Sequence, residues 1–536
     1  MGNLLQDFIK ETRESQSIVM SGAQQRAELH KTIWNLANEL RGSVDGWDFK
    51  QYVLGTLFYR YISEDMTAYI NKRMHDAGVA DFDYETSISD GDAANSKDEI
   101  VAEKGIFIAP SQLFANVCRN ARKDENLNTT LEKAFKDIEA SAIGTPSEPD
   151  FKGLFEDIDV NSNKLGDTVA KRNAKLVKIL EAMAGLNLGV PQEHNIDVFG
   201  DAYEYLMSMY AANAGKSGGE FFTPQEASRL LALIVTHGKD RIRRGYDPAS
   251  GSASLLLQLG KVKGFDKVDN FFGQEINRTT YNLSRINMFL HGVPYDRFDI
   301  ACEDTLLHPQ HWDEQPMDAI VSNYPYSIKW VGEDDPTLIN DPRFAPAGVL
   351  APKSKADLAF LMHITNWLSS DGTAAVVSFP GVLYRGGAEA KIRKYLVESN
   401  FIDAVIQLPD NLFFGTSIAT CIIVIRKNKK EAKTLFIDAS QQFIHEGNKN
   451  KLSDDNIKTI LDEWVNREQV QFFSALVDNT KIAENGYNLS VSSYVEKEDT
   501  KEKVDIVKLN AEIEEIVKKE DRLRKEIDAI IKDLEA

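Results

Sequence analysis

The chain has 536 residues and a formal net charge of -20, with 62 Lys and Arg against 82 Asp and Glu. Hydrophobic residues make up 43% and charged residues 27%, ordinary globular proportions that argue against a disordered or fibrous chain. No apolar run approaches the ~18 residues of a membrane span, and the first residues show no secretory signal pattern. The acidic charge argues against tight nucleic-acid binding through the bulk field, because phosphates need local positive charge.

The cysteines are too few and too scattered for a disulfide framework or a metal-binding cluster. They are Cys118, Cys302 and Cys421. We therefore expect buried thiols in a reducing compartment, a cytoplasmic protein and no bound metal.

The first part of the chain is predicted to be helical. Apolar residues recur at helical spacing from Gln24 to about Ala184, as in LHKTIWNLANELRG and FKQYVLGTLFYRYISEDMTAYINKRM. The acidic segment from Asp83 to Glu99 has few large apolar residues and is predicted to be an exposed loop. We assign residues 1–165 to a helical N-terminal domain.

The middle of the chain alternates strands with helices. Short apolar, β-rich runs occur at GYDPA, NFFGQEI, FDIACED, DAIVSN, TAAVVSF, FIDAVIQL, ATCIIVIR and TLFIDA. Helix-length segments separate most of them, including QEASRLLALIVTHG, RTTYNLSRINMFLHG, KADLAFLMHITNWLSS and AEAKIRKYLVESN. This order predicts an α/β domain over residues 166–495 with a mostly parallel, doubly wound sheet, whose ligands bind at the carboxyl ends of the strands.

The end of the chain carries a heptad seam, defined by apolar residues at alternating spacings of three and four. Its members are Ile506, Leu509, Ile513, Ile516, Leu523, Ile527, Ile530 and Leu534, with the polar Glu520 among them. Charged residues fill the other faces, as on the flanks of a coiled coil. A single amphipathic helix packed on its own domain would give a similar pattern. We favour a coiled-coil-type helix over residues 496–536 that pairs with another helix.

The first predicted strand ends in a run of small residues, Asp247-Pro248-Ala249-Ser250-Gly251-Ser252-Ala253-Ser254. Small residues let the backbone turn sharply and approach a ligand, and the N–H groups that open the next helix can hold an anion. A tight turn without a ligand is the alternative. A nicotinamide cofactor is disfavoured because G-x-G-x-x-G is absent.

Acidic residues follow the next two strands. Glu275 can accept hydrogen bonds from the ribose hydroxyls of a nucleoside, as in dinucleotide sites, and Asp304 is placed to accept from an adenine amino group. Either residue could instead cap a helix, Asp304 in particular. An acid after each of three successive strands favours a nucleoside site.

The fourth strand runs into Asn323-Tyr324-Pro325-Tyr326. The exocyclic amine of an aromatic base is a poor nucleophile because its lone pair is delocalised. An Asn carbonyl and a backbone carbonyl can accept both amine hydrogens, and a following aromatic ring can stack on the base. An ordinary turn is the alternative, since Asn and Pro favour turns.

A helix start is predicted upstream, in Gly218-Gly219-Glu220-Phe221-Phe222-Thr223-Pro224-Gln225-Glu226. Thr223 with Glu226 three residues on and Pro224 at the first helical position is a capping-box pattern. The loop before the cap could also cover a cofactor.

Together, GEFFTP, DPASGSASLL, Glu275, Asp304 and NYPY, in that order, resemble the N6-adenine DNA methyltransferases. The helical first domain, the phrase SIKWVGEDDPTLINDPRFAPAGVLAPKSKADLAF and the terminal helix are similar to the modification (M) subunit of type I restriction–modification systems. The resemblance covers nearly the whole chain. It implies a Rossmann-like class I methyltransferase domain, S-adenosylmethionine as methyl donor and adenine in duplex DNA as acceptor.

The resemblance also implies site residues by position. The segment over the cofactor corresponds to Glu220, Phe221, Phe222, Thr223, Pro224 and Gln225, and the methionine-binding turn to Asp247, Ser250, Gly251, Ser252 and Ala253. Glu275 corresponds to the ribose acceptor and Asp304 to the adenine-side acid. The catalytic residues correspond to Asn323, Pro325 and Tyr326.

Two positions depart from the family pattern. Ala253 replaces the usual second glycine of the turn, and Tyr324 replaces a proline of N-P-P-Y/F. A phenol at 324 would lose the rigidity of proline and is expected beside the target pocket. We therefore hypothesise that catalysis is weakened while cofactor binding survives.

The implied mechanism is direct transfer to a flipped-out adenine, with Tyr326 stacked on the base and Asn323 polarising its amine. No histidine is needed, and His291, His308 and His311 are expected on the surface or in turns. The stretch from Trp330 to Lys355 is a candidate mobile loop. Basic residues within this stretch or just before it could contact phosphates, although ordinary surface residues are the alternative. They are Lys329, Arg343, Lys353 and Lys355.

The implied partners are a specificity subunit that recognises DNA and binds two M subunits, and a restriction (motor) subunit. With DNA delivered by a partner, a charge of -20 is compatible with action on DNA, because only local contacts need be positive. A protein-glutamine methyltransferase is one alternative, although it does not explain the helical domain or the heptad seam. A non-catalytic assembly subunit, suggested by Tyr324, is another.

Overall fold

The computed structural model describes residues 27, 29–31, 33–35, 46–186, 198–213, 223–413, 416–447, 449–496 and 506–534. The chain divides into two compact units, Met1–Val495 and Glu496–Ala536. Within the ranges just given, every helix is too short or too polar to cross a membrane.

The first part of the large unit is helical, as the spacing predicted. Its helices are α1 Gly46–Asp76, α2 Asp90–Ala93, α3 Lys97–Lys104, α4 Phe114–Asn120, α5 Leu127–Ser141, α6 Glu148–Phe151, α7 Val169–Ala184 and α8 Val198–Asn213. The long helix α1 packs against α4, α7 and α8 and buries Leu57 and Phe58 completely. Apolar burial of this kind supplies most of the stability of a helical layer.

The prediction of an exposed loop from Asp83 to Glu99 is wrong in part. The segment contains α2 and the start of α3, and Ser89 caps α2 by accepting a hydrogen bond from the Asp92 N–H. Tyr84 is buried, and its hydroxyl donates to the carbonyl of Ile108 at 2.8 Å. One aromatic side chain with a buried partner thus anchors a segment whose composition is otherwise polar.

A central sheet forms the second part of the large unit. Its strands are β1 Ile242–Asp247, β2 Val268–Gln274, β3 Phe298–Ala301, β4 Met317–Ser322, β5 Leu368–Ser378, β6 Ile402–Gln407, β7 Cys421–Arg426, β8 Lys433–Asp438 and β11 Ser474–Asp478. They lie in the order β11-β8-β6-β7-β5-β4-β1-β2-β3. A separate hairpin pairs β9 Ile444–Glu446 with β10 Lys449–Lys451. All eight strands expected from the apolar runs are present.

Five neighbouring pairs in the sheet are parallel, from β3 through β2, β1 and β4 to β5, and between β6 and β8. Strand β7 is antiparallel to both β5 and β6, and β11 is antiparallel to β8. The turn between β6 and β7 carries no helix among its described residues, so the chain returns antiparallel. The predicted mostly parallel sheet is confirmed.

Helices cover both faces of the sheet. They are α9 Gln225–Thr236, α10 Ser254–Lys263, α11 Arg278–Leu290, α12 Asp357–Trp367, α13 Ala388–Glu398, α14 Asp454–Asn466 and α15 Asn479–Glu484. Strand β4 is buried along its whole length, with Ala319 and Val321 in one core and Ile320 in the other. Two buried faces explain the unbroken apolar run from Ala319 to Val321.

The small unit contains helix α16, Ile506–Leu534. The described apolar side chains of the heptad seam, from Leu509 to Leu534, are all exposed to solvent within this helix. A helix at the end of the chain is confirmed. Its exposed apolar stripe is the arrangement expected of a helix that pairs with another helix.

Candidate functional site

Four of the predicted residues lie after neighbouring parallel strands. Asp247 ends β1, Glu275 follows β2, Asp304 lies three residues beyond β3, and Asn323 follows β4. Because β3, β2, β1 and β4 are adjacent and parallel, these side chains lie along one edge of the sheet. This edge is where ligands bind in open α/β sheets.

Asp247 opens the small-residue turn from a buried position. Its Oδ1 accepts a hydrogen bond of 3.0 Å from the N–H of Ala249. Burial raises the pKa of this carboxyl to about 7, with hydrogen bonds opposing the shift and the nearby Glu275 adding to it. A group with that pKa changes charge near neutrality and is sensitive to a bound cation.

The turn after β1 needs the left-handed region of the backbone at two residues. Gly251 has φ +53°, and Ala253, the residue before α10, has φ +61°. Glycine reaches this region without strain, whereas alanine carries a Cβ penalty. The departure from the family pattern at 253 therefore falls on a backbone position that favours glycine, and a small buried methyl group still fits there.

Glu275 is bonded to the same turn. Its Oε2 accepts from the N–H of Gly251 at 3.0 Å, and its Oε1 accepts from the N–H of Asn277 at 2.8 Å. Burial raises the pKa of the Glu275 carboxyl. The adjacent Ser250 hydroxyl is buried and has no hydrogen-bond partner among the described residues. A buried hydroxyl of this kind is suited to a polar ligand.

A residue that sequence reasoning missed, Asn287, holds this turn from α11. Its Nδ2 donates to the carbonyl of Ser252 at 2.8 Å and to the hydroxyl of Ser254 at 3.3 Å. Asn287 is fully buried in α11, between the apolar Ile286 and Met288 in sequence. An amide inside this apolar run of the sequence is the signal that could have revealed it, because buried polar groups need partners.

Asp304 acts as the cap of a turn, the alternative that the sequence left open. Its Oδ1 accepts from the N–H groups of Leu306 at 2.8 Å and Leu307 at 3.1 Å. The next residue, Thr305, donates to the carbonyl of Pro248 at 2.6 Å and so ties this turn to the turn after β1. Both bonds use Oδ1, so capping is compatible with a ligand contact through Oδ2. The side chain of Ile276, the residue after Glu275, is 68% exposed and offers an apolar surface to a ligand.

The tetrapeptide after β4 is organised around the amide of Asn323. Its Nδ2 donates to Oγ1 of Thr223 at 3.1 Å, and its Oδ1 accepts from the hydroxyl of Tyr326 at 2.5 Å. The ring of Phe379, after β5, lies 5.5 Å from the ring of Tyr326. Pro325, which lies between Asn323 and Tyr326 in the chain, is exposed. Two aromatic rings and an oriented amide thus meet at the end of β4.

The predicted capping box at Thr223 is wrong. Helix α9 begins at Gln225 with Pro224 as its N-cap, and within the described part of the chain no side chain caps it. The reason is that the Thr223 hydroxyl is engaged by Asn323 instead. Gln225 bonds to Gln258 of α10 through their side-chain amides.

Three of the residues expected over the cofactor lie outside the described residues, namely Glu220, Phe221 and Phe222. Of that segment, the structure places Thr223 against Asn323 of the tetrapeptide, and Gln225 at the start of α9, where its side chain bonds to Gln258 of α10.

The expectation that the phenol of Tyr324 stands beside the target pocket is also wrong. Tyr324 is fully buried, and its ring stacks on Phe360 of α12 with centroids 5.3 Å apart. Its hydroxyl donates to Oγ of Ser378 at 2.8 Å, and burial raises the pKa of the phenol. Tyr324 belongs to the second core, whereas Tyr326 packs against the first, so the two tyrosines of the tetrapeptide are directed to different cores.

The residue after the tetrapeptide is held by a buried carboxylate that sequence reasoning did not single out. Ser327 has φ +52°, and its N–H donates to both oxygens of Asp357, at 3.2 and 3.0 Å. Asp357 is fully buried at the start of α12, and burial raises its pKa. This bond fixes the chain immediately after Tyr326.

The stretch from Trp330 to Lys355 is packed, with Leu338, Phe344 and Leu350 buried in the second core. Arg343 is only 1% exposed and cannot meet phosphates, contrary to that expectation. Lys329 and Lys353 are exposed, and Lys353 pairs with Asp334 at 3.3 Å.

Two of the three histidines expected on the surface or in turns are buried, namely His291 and His311. His291 nevertheless lies in the turn that ends α11, one of the two expected places. The ring of His311 reaches the carbonyl of Gly273 in β2, 3.0 Å from Nε2.

Comparisons with known proteins give the family. Residues 29–183 match the HsdM N-terminal domain and residues 194–503 match the N-6 DNA methylase family. The chain is 48% identical to the type I restriction enzyme MpnII methylase subunit of Mycoplasma pneumoniae, over 95% of this chain and 97% of that protein.

Solved structures agree with this assignment. The type I restriction–modification methyltransferase subunit of Streptococcus thermophilus is 36% identical, with a TM-score of 0.79 over 88% of this chain and all of that one. A modification subunit of a putative type I restriction enzyme from Vibrio vulnificus, 18% identical with a TM-score of 0.55 over 88% of this chain and 96% of that one, shares the fold. The chain therefore belongs to the N-6 DNA methylase family, among the methylase subunits of type I restriction–modification systems.

Proposed function

We propose that this protein transfers a methyl group from S-adenosylmethionine to N6 of adenine in duplex DNA, as the M subunit of a type I complex. The observation that carries the proposal is the amide of Asn323, fixed between Thr223 and Tyr326 at the end of β4. Acidic and small residues line the same sheet edge after β1, β2 and β3. Donor and acceptor sites would then be neighbours along one edge.

The residues present fit the cofactor. Glu275 would accept from the ribose hydroxyls, the exposed Ile276 would pack on the adenine ring, and Asp304 would accept from the amino group of the adenine. The turn from Asp247 to Ala253 would hold the methionine part of the cofactor. The buried Ser250 hydroxyl in this turn, which has no hydrogen-bond partner among the described residues, would bond to it. When bound, the cofactor supplies an electrophilic methyl group on a sulfonium.

The tetrapeptide would bind the target base. Oδ1 of Asn323 would exchange the Tyr326 hydroxyl for a hydrogen of the adenine amine, which localises the lone pair on nitrogen. Tyr326 would stack on the flipped base, and Phe379 offers a second ring nearby. The backbone carbonyl at 324 would accept the other amine hydrogen. A base with a shifted pKa is not needed before attack.

The alternatives receive less support. A weakened assembly subunit was inferred from a phenol beside the pocket, and that phenol is buried away from it. A protein-glutamine methyltransferase does not account for the similarity to DNA methylase subunits over nearly the whole chain.

The partners proposed are a specificity subunit, bound by two M subunits, and a restriction (motor) subunit. Helix α16 would provide contacts to the specificity subunit through its exposed seam. With a net charge of -20, the isolated chain should bind DNA weakly, and specific affinity should appear only in the complex.

The test is to copurify the chain with its neighbouring gene products and to supply duplex DNA with labelled S-adenosylmethionine. We expect label in N6-methyladenine after the DNA is hydrolysed to nucleosides. Label in N4-methylcytosine would contradict the adenine assignment, and label only in peptide substrates would support the glutamine alternative. Cofactor binding without turnover by the full complex would support the assembly role.

A further inference from the structure

Arg343 lies in the packed stretch between the tetrapeptide and α12, and it is a buried cation with a full set of partners. Its Nε and Nη2 donate to the two oxygens of Asp341 at 3.0 and 2.8 Å, the forked geometry that neutralises an arginine. The guanidinium lies over the ring of Phe344, with its Cζ 4.7 Å from the ring centroid. With its charge balanced locally, the remaining N–H groups are available for orientation.

Those remaining N–H groups hold the turn that follows Asp304. Nη1 donates to the carbonyl of Thr305 at 2.9 Å, and Nη2 donates to the carbonyl of Leu306 at 2.7 Å. The N–H of Leu306 is itself bonded to Oδ1 of Asp304 at 2.8 Å. Leu306 is thus held by Asp304 at its N–H and by Arg343 at its carbonyl.

The same stretch is anchored at the tetrapeptide. The N–H of Ala356 donates to the carbonyl of Ile328 at 2.9 Å, and the N–H of Trp330 donates to the carbonyl of Lys353 at 3.0 Å, so the two ends of the stretch meet. Ser327 and Asp357 continue this closure next to Tyr326. The stretch that begins after the tetrapeptide therefore contacts, through Arg343, the turn that Asp304 caps. Asp304 is the acid proposed at the adenine side of the cofactor site.

We propose that Arg343 is a positioning residue that sets the orientation of Asp304, and that it thereby determines how strongly the site prefers an amino group on the purine of its cofactor. The inference rests on the proposed use of S-adenosylmethionine. Lysine cannot replace arginine here, because a single ammonium cannot serve a carboxylate fork and two carbonyls at once.

The test compares two ligands in the full chain by calorimetry. They are S-adenosylhomocysteine, with a purine amino group, and S-inosylhomocysteine, which carries an oxo group at that position. The oxo group faces a carboxylate without a hydrogen to donate, so we expect the wild-type protein to prefer the adenosine ligand by about tenfold or more. Asp304→Asn should reduce or reverse this preference, since an amide can donate to the oxo group.

Arg343→Lys should lower the preference about three- to tenfold, the loss typical of one or two buried hydrogen bonds. In the double variant the preference should fall no further than in Asp304→Asn, because both changes act on one contact. The matched control is Arg393→Lys, another buried arginine that donates to backbone carbonyls, those of Val382 and Tyr487. It should leave the preference unchanged.

Equal weakening of both ligands by Arg343→Lys would show a structural role only and would overturn the inference. Should that variant fail to fold, Asp341→Asn keeps Arg343 and loosens its fork, and an unchanged preference there would overturn it equally. If the wild-type protein binds neither ligand, the proposed cofactor is wrong and the inference falls with it. If the wild-type protein prefers the adenosine ligand and both Arg343→Lys and Asp341→Asn keep that preference in full, the cofactor assignment holds and the role of Arg343 is refuted.

Discussion

The hydroxyl of Tyr324 donates a hydrogen bond of 2.8 Å to Oγ of Ser378, and both residues are fully buried. Ser378 ends β5, the strand next to β4, so the bond joins the two strand ends beneath the candidate site. The stacked ring of Phe360 adds a contact from α12. In this protein the second position of the tetrapeptide is a packing residue.

Replacing Tyr324 tests that assignment through stability. Tyr324→Phe leaves the Ser378 hydroxyl buried without this donor and should lower the free energy of unfolding by about 1–3 kcal/mol. Tyr324→Pro, which restores the family residue, also removes the ring and should cost about 3–5 kcal/mol, as for other buried aromatic truncations. Urea unfolding measures both. Tyr384→Phe, at an exposed tyrosine, is the control and should change little.

Methyl transfer distinguishes the two views of Tyr324. Because its phenol points away from the site, the Tyr324→Phe complex should methylate DNA at a rate close to wild type wherever it is folded. A large rate increase in a folded Tyr324→Pro variant would instead restore the hypothesis that the phenol hinders catalysis.

Asn323 should matter more for turnover than any other residue of the tetrapeptide. Asn323→Ala removes the acceptor for the amine and should lower kcat about 10²–10³-fold, the loss usual for one preorganised polar group. Tyr326→Ala removes stacking of about 1–3 kcal/mol, whereas Tyr326→Phe keeps the ring and should be mild. Single-turnover methylation by the assembled complex measures these rates. Equal losses in Tyr326→Phe and Tyr326→Ala would contradict a stacking role.

Thr223 should orient the Asn323 amide rather than cap α9. Thr223→Val keeps the shape of the side chain, removes the acceptor for Nδ2 and should reduce kcat about 2- to 10-fold. Thr223→Ser restores the hydroxyl and should rescue the rate. If Thr223→Ser is as slow as Thr223→Val, the hydroxyl is not the functional group.

The buried carboxyl of Asp247 predicts pH-dependent cofactor affinity. Its pKa is raised to about 7, so below that pH the free protein holds a proton on it. A bound ammonium of the methionine part favours the charged carboxylate, so affinity should rise with pH by up to about tenfold per unit and level off above the pKa. Glu275, whose pKa is also raised by burial, acts in the same direction. Calorimetric titration of S-adenosylhomocysteine measures the slope.

Asp247→Asn should flatten most of that slope while weakening binding above neutrality. An affinity that falls as pH rises would contradict the assignment, since deprotonation would then oppose binding.

The seam of α16 predicts a specific loss of assembly. Ile513→Lys with Ile516→Lys places charges in an apolar contact and should abolish copurification with the specificity subunit while leaving cofactor affinity unchanged. Val507→Lys, exposed on the same helix outside the seam, is the control. Deleting the chain after about Glu498 should act like the double variant. Normal assembly of either one would place the interface elsewhere.

Local patterns were sufficient for the elements and for the placement of most candidate residues. Apolar runs of strand length, separated by amphipathic segments, predicted eight strands that are present and the helices that cover them. Parallel order then brought Asp247, Glu275 and Asn323 to one edge, because the carboxyl ends of parallel strands meet there. These inferences depend only on periodicity and on chain connectivity, which the sequence carries directly.

Partner choice was not predictable in the same way. Thr223 has the spacing of a helix cap and bonds Asn323, a hundred residues away, instead. The sequence offers Arg343 as a possible phosphate contact, whereas in the structure it is buried, paired with Asp341 and bonded to the carbonyls of Thr305 and Leu306. A polar side chain bonds whichever group the tertiary packing leaves unpaired beside it, and that group is usually distant in sequence.

The sequence by itself therefore determined the α/β architecture, the family and the positions of the strand-end acids and the tetrapeptide. Only the tertiary structure decided that the Tyr324 ring turns into the core and that Asp357 and Arg343 hold the turns on either side of the site. The physical reason is that periodicity is a local property, whereas burial and hydrogen-bond satisfaction are settled only when distant segments pack together.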